Sequence, residues 1–159
     1  MKVRSVEASR VVAAPVETVF AVLTDLDSAV EVISAIRKVE RLEGDGYEVG
    51  TRWRETRKMF GAEASEVMEV TGVNAPESTT VGSLSHGVYY TTEFRVEPEA
   101  DGAVLTCAFT GAPRDQSLMQ RWGWTLFGAG GMKASRKALE ADLADIAKEA
   151  ERRAAADPL

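Results

Sequence analysis

The chain has 159 residues, of which 45% are hydrophobic and 28% are charged, and its formal net charge is −6. This length fits one domain, residues 1–159, and the apolar residues along the whole chain disfavour disorder. The net negative charge disfavours nucleic acid as a partner, because nonspecific binding to nucleic acid needs a basic face. The sequence has no run of about 18 apolar residues, so we expect no membrane span and no stable membrane anchor.

The reactive side chains are few. The single cysteine, Cys107, cannot form an internal disulfide, and the N-terminus shows no apolar signal region. Both features favour a cytoplasmic protein. One cysteine and one histidine, His86, cannot supply a zinc site, so we expect neither a metal nor another cofactor.

The N-terminal third predicts a strand followed by two short helices. Lys2–Val12 alternates as a strand does, and Pro15 suits the first turn of a helix. Apolar residues then recur at helical spacing, at Val16, Val19, Phe20 and Leu23. Asp25 can cap a second short helix, Ser28–Ile33.

Six short alternating runs follow, separated by Gly, Pro, Asn and Asp residues: Ile36–Glu43, Thr51–Met59, Ala62–Val73, Ser78–Ser85, Val88–Glu97 and Ala103–Ala112. This pattern is typical of an antiparallel meander. One long amphipathic helix, Met132 to Arg153, is predicted after them, with its apolar stripe at Met132, Leu139, Leu143, Ile146 and Ala150. The chain is therefore predicted to be α+β, with the helix laid across one face of the sheet.

The strand Thr51–Met59 indicates which side of the sheet faces the helix. One of its faces is wholly polar, with Arg52, Arg54, Thr56 and Lys58. The other carries Trp53, Glu55, Arg57 and Met59. Because strand side chains alternate strictly, the face with the tryptophan should point inward and take Glu55 and Arg57 with it.

Two turns predict the register of two hairpins. A turn at Phe60-Gly61 pairs Glu55 with Glu66 and Trp53 with Met68, so two carboxylates lie opposite each other near Arg57. They can form a polar anchor or an acid–base group in an apolar cavity. Alternatively, Glu55 and Arg57 form a compensated internal ion pair, or Glu66 lies in water.

A turn at His86-Gly87 pairs Ser83 with Tyr90, Val81 with Thr92, and Thr79 with Phe94. The hydroxyls of Tyr90 and Thr92 would then enter the cavity beside Phe94, unless they only pack in the core. On the last strand Leu105, Cys107 and Phe109 share the inward face. Cys107 is expected to be a small buried apolar residue, and His86 to be exposed and inert.

A strongly apolar segment precedes the long helix, with Leu118, Met119, Trp122, Trp124, Leu126 and Phe127. Together with the glycines at 128, 130 and 131, it can form a movable lid over a cavity. It can equally be a dimer contact or ordinary core.

The order of these features resembles a known superfamily. Val11–Phe20 is similar to the opening of the SRPBCC (START-like, polyketide cyclase/dehydrase) superfamily, in which a strand runs through a proline into an amphipathic helix. Val49–Arg52 is similar to its Val-Gly-Thr entry to a strand. The pairs Thr91–Val96 and Gly102–Thr106 resemble its last strands, and Leu139–Leu143 resembles its terminal helix.

This resemblance implies a helix-grip fold, in which a curved antiparallel sheet of about seven strands wraps around a long C-terminal helix and encloses a cavity. Two short helices follow the first strand. Members bind lipids, sterols or polyketides, and some cyclise or dehydrate them, whereas others assist chaperones. The superfamily has no universal catalytic set, so no catalytic residue is carried over. The glycine-rich loop of its plant members has no counterpart here.

Three hypotheses of function follow. The first is a binder of a small hydrophobic molecule, active as a monomer or a homodimer, with its ligand-binding residues at Trp53, Glu55, Arg57, Met68, Val81, Tyr90, Thr92, Phe94 and Phe109. Trp122 and Phe127 would close the entrance. The second is an aromatase/cyclase-type enzyme in which Glu55 or Glu66 moves a proton. The third is a protein-interaction module that docks through the apolar segment at 118–127.

Overall fold

The computed structural model describes residues 3–59, 61–114 and 131–157. It has the predicted helix-grip architecture. In chain order the elements are β1 (Arg4–Val12), α1 (Val16–Leu23), a 3-10 turn (Leu26–Ser28), α2 (Ala29–Val32), β2 (Ile36–Glu43), β3 (Arg52–Met59), β4 (Ala62–Asn74), β5 (Ser78–Ser85), β6 (Val88–Glu99), β7 (Gly102–Pro113) and α3 (Gly131–Ala156).

The seven strands form one antiparallel sheet in the order β1-β7-β6-β5-β4-β3-β2. Strands that follow one another in the chain are neighbours from β2 to β7, as expected of a meander, and β1 closes the sheet against β7. The helix α3 packs against β1 and α1. Within the described residues, no helix combines the length and the apolarity needed to cross a membrane.

The apolar stripe of α3 forms the main core, as its spacing predicted. Leu143, Ile146 and Ala150 are at most 2% exposed, and they lie in one cluster with Val12 and Leu105. Burial of a leucine or isoleucine side chain contributes about 1.5–3 kcal/mol. A second cluster, centred on Trp53, Val70 and Val81, lies on the β3–β5 part of the sheet.

Several observed element ends differ from the predicted ones by one to three residues. The second helix is only the four-residue α2 behind a 3-10 turn, where Asp25 Oδ1 accepts a hydrogen bond from the Ser28 backbone N–H at 3.2 Å. The strands β6 and β7 run closer to their connection than predicted, to Glu99 and from Gly102. A Cβ at Gly102 would lie 2.2 Å from the carbonyl oxygen of Val12, so glycine allows this close approach of β1 and β7.

A chain of ion pairs holds the C-terminal part of α3 to the turn after α1. Arg153 Nη2 donates to Asp25 Oδ2 at 2.9 Å, and its Nε donates to Glu149 Oε2 at 2.7 Å. Burial raises the pKa of Asp25, but the hydrogen bonds from Ser28 and Arg153 outweigh it and leave that pKa below its ordinary value. Hydrogen bonds from Arg152 and Arg153 lower the pKa of Glu149 from 4.5 to about 2.

This cluster predicts an acid-sensitive contribution to stability. A folded-state pKa below the unfolded one stabilises the fold above pH 4.5, and the effect is lost as the pH falls toward 2. Glu149→Gln should lower the free energy of unfolding at pH 7 by about 0.2–1 kcal/mol, the range for exposed ion pairs. Urea denaturation at pH 7 and near pH 2 measures the difference. A gap between wild type and variant that is as large near pH 2 as at pH 7 would contradict this account. Glu31→Gln, on the exposed face of α2, is the control, and its free energy of unfolding should stay close to that of wild type at both pH values.

Candidate functional site

A cavity of about 530 Å³ lies between the concave face of the sheet and the helices. This volume is within the range of small-molecule sites, about 300–1,000 Å³. Its walls come from both core clusters. The described residues around it that had not been predicted as site residues include Val22, Leu26, Ile36, Tyr47, Ser83, Ser85, His86, Ser135, Leu139, Asp142 and Ile146.

Both predicted hairpin registers are present. Glu55 pairs with Glu66 and Trp53 with Met68 across β3 and β4, and Ser83 pairs with Tyr90 across β5 and β6. All predicted site residues within the described ranges line the cavity: Trp53, Glu55, Arg57, Glu66, Met68, Val81, Tyr90, Thr92, Phe94 and Phe109. Their binding or catalytic roles stay predictions. The proposed lid residues Trp122 and Phe127, with the rest of the segment at 118–127, lie outside the described residues.

A charged network joins β3 to α3 on the cavity wall. Arg57 Nη1 donates to Asp142 Oδ2 at 2.8 Å, and Arg57 Nε donates to Glu55 Oε2 at 3.3 Å. The indole Nε1 of Trp53 donates to Glu55 Oε1, also at 3.3 Å. Both oxygens of Glu55 are therefore held, and its carboxylate is fixed in the wall.

Burial and charge act in opposite directions on this network. Burial lowers the pKa of Arg57, but the charges of Asp142 and Glu55 outweigh it and leave that pKa above its ordinary value. Burial raises the pKa of Asp142 above its ordinary value, and the charge of Arg57 offsets this only in part. The guanidinium thus stays charged, while Asp142 is the member of the network that gains a proton more readily than a free aspartate.

Asp142 was not predicted from the sequence. It lies three residues after Leu139 and four before Ile146, so it occupies the buried stripe of α3. An acid inside an apolar stripe is the signal that could have found it, because a buried carboxylate needs a partner.

A second polar group lies where β4, β5 and β6 meet. Glu66 accepts a hydrogen bond from Ser85 Oγ at 2.7 Å. The hydroxyl oxygen of Ser85 also lies 2.9 Å from His86 Nδ1. Glu66 therefore lies opposite Glu55 in register yet has its own partner. His86 is exposed, as predicted, but the hydrogen-bonded contact to Ser85 was not predicted.

The remaining wall is mostly apolar. Tyr90 stacks on Phe109 with ring centroids 5.4 Å apart, and burial, with the charge of Glu66, raises the pKa of its hydroxyl. Burial raises the pKa of Cys107 to about 12, so this buried thiol is neutral and acts as an apolar wall residue.

Ser83 contributes an unsatisfied hydroxyl to the wall. The residue is 7% exposed, and among the described residues its Oγ has no hydrogen-bond partner. A buried hydroxyl left unpaired costs about 1–3 kcal/mol. A polar atom inside the cavity, from a ligand or from water, removes that cost.

The described lining residues carry more acids than bases. Arg57 is the one lysine or arginine among them, whereas Asp25, Glu55, Glu66 and Asp142 are acids. Asp25 is balanced from outside the cavity by Arg153. No group of three or more His, Cys, Asp or Glu side chains in residues 3–59, 61–114 and 131–157 is arranged to hold a metal ion.

Comparison with known proteins identifies the class to which this fold and cavity belong. Residues 3–151 match the family described as "Polyketide cyclase / dehydrase and lipid transport". The chain belongs to this family, and through it to the SRPBCC superfamily. A comparison with curated proteins found no match.

Solved structures show the same fold at low sequence identity. The aromatase/cyclase Zhui from Streptomyces sp. R1128 is 24% identical with a TM-score of 0.71, and the match covers 96% of each chain. The di-domain aromatase/cyclase StfQ of the steffimycin pathway is 17% identical with a TM-score of 0.77, over 96% of this chain and 52% of StfQ. Ara h 8.0201 is 13% identical with a TM-score of 0.71, over 94% of this chain and 98% of its own.

Proposed function

We propose that this protein binds a small, neutral and mostly apolar molecule in its cavity. The observation that carries the proposal is the cavity of about 530 Å³ whose wall is largely apolar and has its polar atoms at a few defined places. Such a wall removes apolar surface from water, and the few polar groups orient the molecule. Membership of a family that includes lipid-transport proteins supports the same function.

The cavity side chains have two roles in the proposed binding. Trp53, Met68, Val81, Phe94 and Phe109 supply apolar surface to the ligand, and Glu55, Arg57, Tyr90 and Thr92 orient it. Trp122 and Phe127 remain our proposal for closing the entrance. The unpaired hydroxyl of Ser83 adds a hydrogen-bond donor for an oxygen of the ligand.

The charges of the wall favour a neutral ligand. Glu55 balances Arg57, and Glu66 leaves an excess of negative charge even when Asp142 is protonated. Two like charges 8 Å apart repel by about 2 kcal/mol at an effective dielectric constant of 20. A carboxylate or sulfonate on the ligand is therefore disfavoured, whereas hydroxyl and carbonyl groups are accepted.

A matched pair of dyes tests the proposal. N-phenyl-1-naphthylamine is neutral, and 8-anilinonaphthalene-1-sulfonate adds a sulfonate to the same skeleton. Fluorescence titration should give a dissociation constant for the neutral dye about tenfold or more below that of the anion. Glu66→Gln should narrow this ratio, since it removes a cavity charge, whereas Glu63→Gln, on the exposed face of the same strand, should not.

Failure of the neutral dye to bind, or tighter binding of the anion, would contradict the proposal. Native mass spectrometry of freshly purified protein provides an independent arm. A retained small molecule that is neutral supports the proposal, and a retained anionic lipid opposes it.

A second candidate function is proton transfer on a ligand rich in ketone groups. The observation that favours it is the carboxylate of Glu55, held by Trp53 and Arg57 on the cavity wall. A carboxylate in a fixed position can take a proton next to a carbonyl group, and the adjacent guanidinium can stabilise the enolate that forms. The resemblance to two aromatase/cyclase structures agrees with this chemistry at the level of the fold.

Glu55→Gln separates binding from catalysis. On a linear poly-β-ketone, an enzyme that uses Glu55 should lose about 10²-fold or more of its turnover, because a positioned acid–base group contributes that much. The affinity of this variant for N-phenyl-1-naphthylamine should change by less than about threefold, because Gln has nearly the same shape as Glu and the dye carries no charge. Wild-type protein that binds the poly-β-ketone without converting it rejects this second function and leaves the first intact.

A further inference from the structure

A chain of three hydrogen-bonding side chains lies at the turn between β5 and β6. Ser85 Oγ donates to Glu66 Oε1 at 2.7 Å and lies 2.9 Å from His86 Nδ1. Glu66, Ser85 and His86 all line the cavity, and His86 is also exposed. The three side chains therefore connect solvent to a carboxylate in the cavity wall.

The turn itself positions the imidazole. His86 has φ +50° and Gly87 has φ +78°, the two left-handed positions of a type I′ hairpin turn. Asparagine before glycine is the usual pair at such a turn, so an imidazole is not needed to make it. His86 therefore supplies a titratable ring that the hairpin does not require, placed next to Ser85.

The single hydrogen of the Ser85 hydroxyl determines the direction of the chain. Because this hydrogen goes to Glu66, Ser85 Oγ can only accept at its contact with His86. The Nδ1 atom must then carry a hydrogen, since the partner of one ring nitrogen sets the tautomer. Every hydrogen bond in the chain points from the exposed imidazole toward the cavity.

We propose that His86, Ser85 and Glu66 form a proton relay that delivers protons from solvent to a ligand in the cavity. When His86 is an imidazolium, its Nδ1 proton passes to Ser85 Oγ and the Ser85 hydroxyl proton passes to Glu66. A neutral imidazole with its hydrogen on Nε2 and a neutral carboxylic acid result. Glu66 gives its proton to an oxygen of the ligand, the Ser85 hydroxyl turns back toward Glu66, and solvent returns a proton to Nδ1 of the exposed ring, so one proton enters for each one delivered.

The groups around Glu66 suit this role. Tyr90 on β6 faces it closely enough for its hydroxyl pKa to be raised by the Glu66 charge as well as by burial. Glu55 lies opposite on β3, where Arg57 and Trp53 hold it. Because Glu55 is held by these partners, Glu66 is the member of this facing pair that a hydrogen-bonded chain joins to the exposed His86.

The tautomer of His86 tests the relay without a ligand. His86 is the only histidine of the chain, so its ring nitrogens are observed unambiguously by ¹⁵N NMR. In wild type with a neutral ring, we expect the hydrogen on Nδ1. Ser85→Ala and Glu66→Met should move the ring hydrogen to Nε2, since each substitution removes one of the hydrogen bonds that link His86 to Glu66. Ser85→Thr, which keeps the hydroxyl, and Glu63→Gln, on the other face of β4, should leave it on Nδ1.

Proton delivery is tested with 2-tetralone, an apolar bicyclic ketone. Donation of a proton to its carbonyl oxygen speeds enolisation, and in deuterated buffer the α-hydrogens then exchange at a rate that proton NMR measures. Wild type should accelerate this exchange, and His86→Asn, which suits the same turn, should lower the protein-dependent rate by about tenfold or more. The affinity for 2-tetralone should stay within about twofold, as expected when only a transition-state interaction is removed.

The outcomes separate the relay from the proposed function on which it rests. An Nε2 hydrogen in wild type, or a tautomer that ignores both Ser85→Ala and Glu66→Met, overturns the relay. Bound 2-tetralone whose exchange rate is the same in His86→Asn also overturns it. If 2-tetralone does not bind, the proposed function fails for this probe, and the tautomer alone decides the relay.

Discussion

The alternation of side chains along β3 is the constraint on which the site depends. A strand sends successive residues to opposite faces, so a tryptophan that must be buried takes every second residue of its strand to the same side. Trp53 is 4% exposed, and its position brings Glu55 and Arg57 into the cavity wall while Arg54 stays exposed. A shift of one residue would exchange the two faces, so burial of one aromatic ring fixes the placement of both charges.

The inward charges require a partner from outside the sheet. Burying a guanidinium without an anionic partner is costly. Within the sheet, Glu55 pairs with the Arg57 guanidinium at 3.3 Å. Asp142 of α3 supplies the shorter contact, 2.8 Å, and so links the helix to the strand on which the site is built. The same contact holds Arg57 from a second side, and Glu55 is held by both Trp53 and Arg57. A rigid polar group in an apolar wall can orient a ligand.

Local patterns predicted much of this arrangement. The turns predicted at Phe60-Gly61 and His86-Gly87 gave two registers that the strand pairings confirm, because a hairpin turn and strand alternation together leave one pairing. The helix–sheet contact of Asp142 with Arg57 joins residues 85 positions apart, and no turn or spacing encodes how a helix lies across a sheet. The contact of Glu66 with Ser85 crosses β4 and β5, whose pairing shifts between Val70 and Gly72. The position of such a β-bulge cannot be found by counting residues from the turn between two strands, so the spacing did not predict this contact.

The central claim is that the cavity face of β3, β4 and β5 contacts the ligand. Intermolecular nuclear Overhauser effects from bound N-phenyl-1-naphthylamine to protein methyl groups test it most directly. The account predicts contacts from the dye to the methyl groups of Met68 and Val81, which line the cavity, and none to Val73 or Leu84, which are exposed. Contacts confined to the exposed methyl groups, or a dye that contacts no cavity residue, would contradict the account.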